Sequence, residues 1–256
     1  NDDVEVHLGI DVTVELVIFR NEVEKNTRVF SIKKGNWSKL KSKLENIPFD
    51  GGTQLGDIDL TKYNCDEFIL ATDGISTFGA NEIALSSTPV MVINSQLTAQ
   101  HSYLNYITQK TGGVYINLKK LTTEQALTLL KNQPYSFLKA EYRKNQVKEL
   151  YPNLPAVVTK DFSIAGVLTS KKAEITLHFG AGNKTMHTET ILIHQPEKIS
   201  DSRLIRRVWA QKKITELDMQ YEKNKQEIIR MGQMYSIVTR DTSLIVLDRI
   251  EDYAEH

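Results

Sequence analysis

The sequence predicts an α/β protein: an open, doubly wound, mostly parallel sheet, followed by a β-rich module and a C-terminal helical segment. Three observations carry that prediction. Residues 12–131 alternate apolar runs of strand length with segments of helical period. PVMVINS is apolar almost throughout and EFILATD has an apolar centre, FILA, as buried strands do. After Pro134 the pattern shortens to alternating segments broken by Pro, Gly, Asn and Lys, and from Ser200 it returns to helical period.

Taken in order, VTVELVIF (12–19) alternates and then turns fully apolar, which predicts a strand buried on both faces. TRVFSI (27–32) predicts a second strand, antiparallel to the first. Asn36 is the expected N-cap of a helix that carries Trp37, Leu40, Leu44 and Ile47 on one face, with Lys39, Lys41 and Lys43 largely away from it; Pro48 ends it. IPFDGGTQLG is a loop leading into the EFILATD strand, and PVMVINS is the next strand. A helix over 98–110 buries Leu104 and Ile107, with Tyr103 as an addition, and stops at Thr111-Gly112-Gly113. GVYINL is a further strand. Thr122 and Gln125 form a capping-box pattern ahead of Ala126, Leu127, Leu129 and Leu130.

FLKAEYR, DFSIAGVLTS, AEITLHFG and TMHTETILI predict short strands of a β-rich module. Such a module is small for a closed sandwich, so it is expected to borrow strands from elsewhere. Leu204, Ile205, Val208, Trp209 and Leu217 mark an amphipathic helix capped by Ser200 or Asp201. Residues 223–237 continue as a second helix with Ile228, Ile229 and Met234 inward, and SLIVLD (243–248) is a closing strand. The expected divisions are 1–131 for the α/β domain, 132–198 for the β-rich module and 199–256 for the helical segment with its strand.

Composition narrows the classes of function. The 256 residues are 40% hydrophobic and 25% charged, with 32 Lys plus Arg against 32 Asp plus Glu. No global field recommends nucleic acid or an anionic membrane as a partner. No apolar run approaches the roughly 18 residues of a membrane span. The opening NDDVEVHLG has neither the basic region nor the apolar core of a signal peptide. A single cysteine, Cys65, rules out an intrachain disulfide and leaves the compartment open.

The chemistry concentrates where a strand meets a carboxylate. In EFILATDG the apolar run ends at Asp73-Gly74, and ligands of open α/β sheets bind at the carboxyl ends of strands. Thr53, in the loop feeding that strand, follows Gly51 and Gly52; on its own such a threonine is a turn or cap residue. Elsewhere the candidates are bland. None of the six histidines has the i, i+4 spacing of a helical zinc pair, and His178, His187 and His194 are expected to face solvent. Ser76 and Ser95 have no histidine nearby in sequence, and GISTFG is not a nucleophile elbow. Cys65, beside Asp66 and Glu67, lacks the positive surroundings that activate a thiolate. No glycine-rich phosphate loop occurs, and no enzyme activity is expected.

Together, DGGTQLG and ILATDG resemble the second and third parts of the metal-ion-dependent adhesion site of von Willebrand factor type A (VWA) domains. PVMVINS and TGGVYINL resemble the last two core strands of that family. The tail RLIRRVWAQKKITEL…GQMYSIVTRDTSLIVLD is similar to the segment after the A domain in bacterial relatives of the inter-alpha-trypsin-inhibitor heavy chains, which carry a vault/inter-alpha-trypsin (VIT) domain. The resemblance implies a VWA-like sheet that interrupts the β module. It also implies protein–protein recognition, outside the cell or in the cell envelope. In that family Mg²⁺, or Mn²⁺ or Ca²⁺, is held by oxygen ligands and completed by water and an acidic group of the partner. Carried over, Thr53 offers a hydroxyl, Asp73 binds the cation directly or through water, and Gly51, Gly52 and Gly74 lie beside the ligand.

One part of that pattern is missing. The Asp-x-Ser-x-Ser motif expected after the first strand does not occur; Asp11, Thr13 and Glu15 alternate instead, in a stretch that keeps strand period. Only Asp11 separates VEVHLGI from VTVELVIF, whereas parallel neighbours need a crossover of about a dozen residues. Either the two are one long strand or a tight hairpin, or a segment bearing the motif is absent there. If the motif is truly lacking, the rival reading is a metal-free VWA scaffold for assembly in a larger envelope protein.

Overall fold

The structure, a computed structural model, describes residues 11–24, 26–48, 52–195 and 203–242. The chain divides into two compact units, Asn1–Asn64 with Gly74–Ser86, and Cys65–Asp73 with Ser87–His256. The expected strands at VEVHLGI and SLIVLD, the Ile10/Asp11 junction, and the caps Ser200 and Asp201 lie outside the described residues.

In the first unit, β1 (Val12–Leu16) and β2 (Arg28–Ile32) pair antiparallel, with Val12 opposite Ile32 and Leu16 opposite Arg28. The pairing is as expected, but the burial is not. The two strands form a ribbon of their own, and none of their residues is buried. A two-stranded ribbon of its own leaves its residues exposed or half-buried, so the apolar run at 12–19 departs from the doubly buried strand its sequence suggests. The helix α1 (Ser38–Glu45) follows; Asn36 Oδ1 accepts from the Ser38 amide at 3.2 Å, and no residue of the helix is buried. The buried apolar core of this unit lies later, in Leu55, Ile58, Leu60 and Ile83. It is tied by Gly56 N–H to Ala80 O and Leu60 N–H to Ala84 O, 2.8 and 2.9 Å.

The second unit is a mixed α/β structure. β3 (Phe68–Ala71), β4 (Val90–Asn94) and β5 (Tyr115–Asn117) form a parallel sheet in that order, with α2 (His101–Thr111) between β4 and β5 and α3 (Thr123–Lys131) after β5. Val90, Met91 and Val92 are fully buried, so β4 is covered on both faces, each side chain gaining about 1.5–3 kcal/mol on burial. Met91 joins Val114, Ile116 and Ala126 in one core cluster, against which Ile93, Leu121, Leu129 and Leu130 pack. The helix boundaries follow the sequence signals. Gly112 ends α2 in the left-handed conformation at φ 77°, and Thr122 and Gln125 complete the capping box of α3. Thr111 ties helix to sheet: its hydroxyl donates to Ile107 O at 2.8 Å and accepts from the Val90 amide at 3.1 Å.

The β module holds β6 (Ser136–Tyr142), β7 (Val147–Tyr151), β8 (Ala156–Val157), β9 (Ala165–Leu168), β10 (Lys172–Ala181) and β11 (Lys184–His194). One sheet runs β11-β10-β6-β8 and a second pairs β7 with β9. They share a core of Phe137, Val147, Leu150, Ala173, Ile175 and Leu177, with Phe137 stacked on Phe162 at 4.9 Å. Strands β7 and β8 were not expected; VKELY carries two charges in five residues and has no strand-like apolar alternation. Gly182-Asn183 forms the two-residue turn of the β10–β11 hairpin, with Gly182 at φ 56°. The Asn183 side chain donates to Ser87 O and Thr111 O, 3.1 and 3.2 Å, which pins this tip beside β4 and the end of α2.

The helices α4 (Arg203–Leu217) and α5 (Tyr221–Tyr235) pack through Ala210, Ile214, Ile228 and Met231. The expected faces shift. Leu204, Ile205 and Met234 are exposed at 74, 72 and 59%, while Lys213 is only 7% exposed. Helical period locates an apolar side but not what lies opposite it. Here β7 supplies a partner, and it meets the face that carries Trp209 and Lys213.

Candidate functional site

The carboxyl ends of the three parallel strands form the rim at which an α/β sheet presents its chemistry. At β3, the Thr72 amide still donates to Ile93 O at 3.2 Å, and Asp73 follows immediately. Its carbonyl accepts from the Gln100 amide at 2.8 Å, at the N-cap of α2. Gly74, at φ 76°, then turns the chain out of the sheet, a conformation that favours glycine. Asp73 therefore stands directly beyond the carboxyl end of β3.

The ends of β4 and β5 are polar and closed on themselves. Asn94 is 2% exposed; its amide nitrogen donates to Gln96 O at 2.9 Å and to Tyr115 Oη at 3.2 Å, and its oxygen accepts from Gln96 N–H at 2.8 Å. Tyr115 Oη lies 2.6 Å from His101 Nδ1, and His101 Nε2 lies 3.3 Å from Leu97 O. A neutral imidazole with its proton on Nε2 satisfies every member: Tyr115 donates to Nδ1 and Nε2–H donates to Leu97 O. Asn117 Oδ1 caps the turn after β5 by accepting from Lys119 N–H at 3.0 Å. Sequence reasoning missed this chain because Asn94 and Tyr115 are 21 residues apart. The available signal was an asparagine ending each of the apolar runs VMVIN and VYIN.

Thr53 belongs to the first unit and Asp73 to the second, so each is placed within its own. The Thr53 amide donates to Thr77 Oγ1 at 2.7 Å, and its carbonyl accepts from the Thr77 amide at 2.8 Å. Its hydroxyl makes no hydrogen bond among the described residues. Gly52 serves a close approach, although to protein: a Cβ there would sit 2.6 Å from the Phe78 ring and from Thr77 Oγ1. Gly51 lies outside the described residues. The Asp11, Thr13, Glu15 alternative is not at a sheet end: Thr13 and Glu15 sit exposed on β1, opposite Ser31 and Val29 of the antiparallel ribbon.

Other polar groups are structural. A bulge in β7 holds Glu149 at φ 48°, where its carbonyl accepts from Trp209 Nε1 at 2.9 Å and its carboxylate meets Lys213 Nζ at 2.8 Å. Lys213 also reaches Glu227 at 3.2 Å and lies 5.4 Å from the Trp209 ring centroid. Burial works against the charge on Lys213, but the two carboxylates outweigh it and raise its pKa above the ordinary lysine value. Glu227 is held down at about 2, first by Arg230 and then by Lys213, against the cost of burial. Burial raises Glu216, although its carboxylate accepts from the Asn153 amide at 2.7 Å and the Leu154 amide at 3.3 Å. His178, expected at the surface, is half-buried; its Nε2 lies 3.4 Å from Glu141 without hydrogen-bond geometry.

At the rim of the second unit the oxygen-bearing residue directly beyond β3 is Asp73. Among the described residues, no group of three or more His, Cys, Asp or Glu side chains could hold a metal ion, so hydroxyls, water and a partner's oxygens would have to complete a hard-cation shell. No helix of the described residues is long and apolar enough to cross a membrane. No family model matches the chain, and no curated protein matches it in sequence.

Proposed function

We propose that the chain is a protein-recognition module in which the three parallel strands are the core of an open, doubly wound sheet of VWA type. A hard divalent cation, Mg²⁺ first, sits at its carboxyl rim and bridges to an acidic group of the partner. Asp73 supplies the carboxylate, and the family resemblance assigns Thr53 as the second ligand. What carries this reading is the position of Asp73, directly beyond the carboxyl end of β3 and hydrogen-bonded through its carbonyl to the start of α2. The Thr53 hydroxyl, which makes no hydrogen bond among the described residues, supports it further. Bound there, the cation supplies an open coordination position for a carboxylate oxygen.

A second reading is a metal-free scaffold that uses the same sheet for assembly. The observation favouring it is the closed Asn94–Tyr115–His101 chain, whose polar groups already satisfy one another. Calorimetric titration with Mg²⁺ and Mn²⁺ separates the two, using the parent chain, Thr53→Ala and Asp73→Ala. Binding heat in the parent that falls in both variants supports the cation site. Equal heats in all three remove it and leave the scaffold.

A further inference from the structure

Among the described residues, the helix α1 combines a local charge excess with an apolar side of which no residue is fully buried. Residues 33–44 read KKGNWSKLKSKL: five lysines and no carboxylate, inside a chain whose total charge is zero. At 100° per residue, Leu40 and Leu44 lie about 40° apart on α1, with Trp37 at its N-cap. Lys41 and Lys43 flank Leu40 and Leu44 on the two sides. None of these apolar residues is buried, and Trp37 and Leu44 are exposed at 41 and 39%. Lys41 Nζ lies over the Trp37 ring, 6.0 Å from its centroid, so a cation and the indole already share this side of the helix.

We propose that α1, with the Lys33-Lys34 turn before it, docks on an anionic lipid surface. Trp37, Leu40 and Leu44 enter the boundary between headgroups and acyl chains, and Lys39, Lys41 and Lys43 meet the lipid phosphates. Charge complementarity selects an anionic surface. The apolar side between flanking lysines selects a bilayer over a nucleic acid or an acidic peptide, which would need the lysines but leave that side wet. A helix of eight residues gives a reversible, peripheral attachment and no span.

The test is sedimentation of the full chain with vesicles of phosphatidylcholine alone and of phosphatidylcholine mixed with phosphatidylglycerol. Binding is expected only to the second kind and should fall when salt is raised to about 0.5 M. The triple variant Lys39→Gln, Lys41→Gln, Lys43→Gln should bind roughly a hundredfold more weakly, at about fivefold per lysine. The variant Trp37→Ser, Leu44→Ser should lose binding while its melting curve stays that of the parent, since both side chains are already exposed. The Trp37 contribution to emission, read as parent minus Trp37→Phe, should shift to the blue on anionic vesicles. Failure of the parent to bind anionic vesicles overturns the proposal. So does binding that survives Trp37→Ser, Leu44→Ser, or an equally salt-sensitive affinity for heparin that this variant leaves intact, which would mark a polyanion site instead.

Discussion

Replacing Lys213 with methionine tests how the helical hairpin is held to the β module. The methionine fills the volume of the lysine stem and removes only the cation, which is 7% exposed and pairs with Glu149 at 2.8 Å and Glu227 at 3.2 Å. Two charge-assisted hydrogen bonds contribute roughly 3–6 kcal/mol before their costs. Relief of lysine desolvation offsets part of that, and the stranded carboxylates still reach water, Glu149 being 45% and Glu227 33% exposed. Glu227 also keeps its two 2.7 Å bonds from Arg230. The expected net loss is therefore about 2–3 kcal/mol, short of the ~3–5 of a fully buried pair. The assay is urea unfolding in a Trp37→Phe background, followed by Trp209 fluorescence, which reports from the site itself. The midpoint should drop by about 1 M with an unchanged slope. In a Glu149→Gln, Glu227→Gln background the same substitution should cost at least ~1 kcal/mol less. A midpoint within about 0.2 M of the parent, or an equal loss in both backgrounds, refutes the reasoning.

Several further outcomes are expected. Glu227 has a folded pKa near 2 against an ordinary 4.5, so the stability it contributes is present above about 4.5 and lost as pH falls towards 2. Unfolding midpoints measured across that window should show this slope, and Glu227→Gln should flatten it. Asn183→Ala removes both hydrogen bonds of the hairpin tip and should cost about 1–2 kcal/mol by denaturant titration. Gly113→Ala would put a Cβ 2.0 Å from the Val90 carbonyl oxygen, and backbone cannot step aside as a side chain can. A loss of about 3 kcal/mol, or failure to accumulate folded protein, is expected by circular dichroism. Thr122→Ala breaks the capping box of α3 and should lower stability by about 1 kcal/mol.

Local signals in the sequence carried through where the deciding partner is close in the chain. The capping box at Thr122 and Gln125, the stop at Gly112, the buried run of β4 and the antiparallel pairing of β1 with β2 all rest on such residues. Tertiary facts did not carry through. Trp37, Leu44, Leu204 and Ile205 have helical spacing yet remain exposed, because periodicity names an apolar side without naming a cover. Lys213 is buried because carboxylates arrive from β7, 64 residues earlier, and from α5. Met231, and not Met234, faces inward, a phase difference that only packing against α4 decides. At the candidate site, Asp73 was legible because a strand ends there. The His101–Tyr115 contact was not, because it joins the start of a helix to a strand beyond it.

The chain crosses between its two compact units three times, at 64/65, 73/74 and 86/87. The excursion from Gly74 to Ser86 leaves the parallel sheet after β3 and returns in time for β4, carrying Ile83 into the core with Leu55. Neither unit can then be cut out as one continuous fragment. A truncation after Asn64 would rob the first unit of Ile83, and one starting at Ser87 would rob the second of an edge strand. Genetic dissection of this protein has to work by internal replacement, swapping the 74–86 excursion for a short linker, and not by trimming from an end.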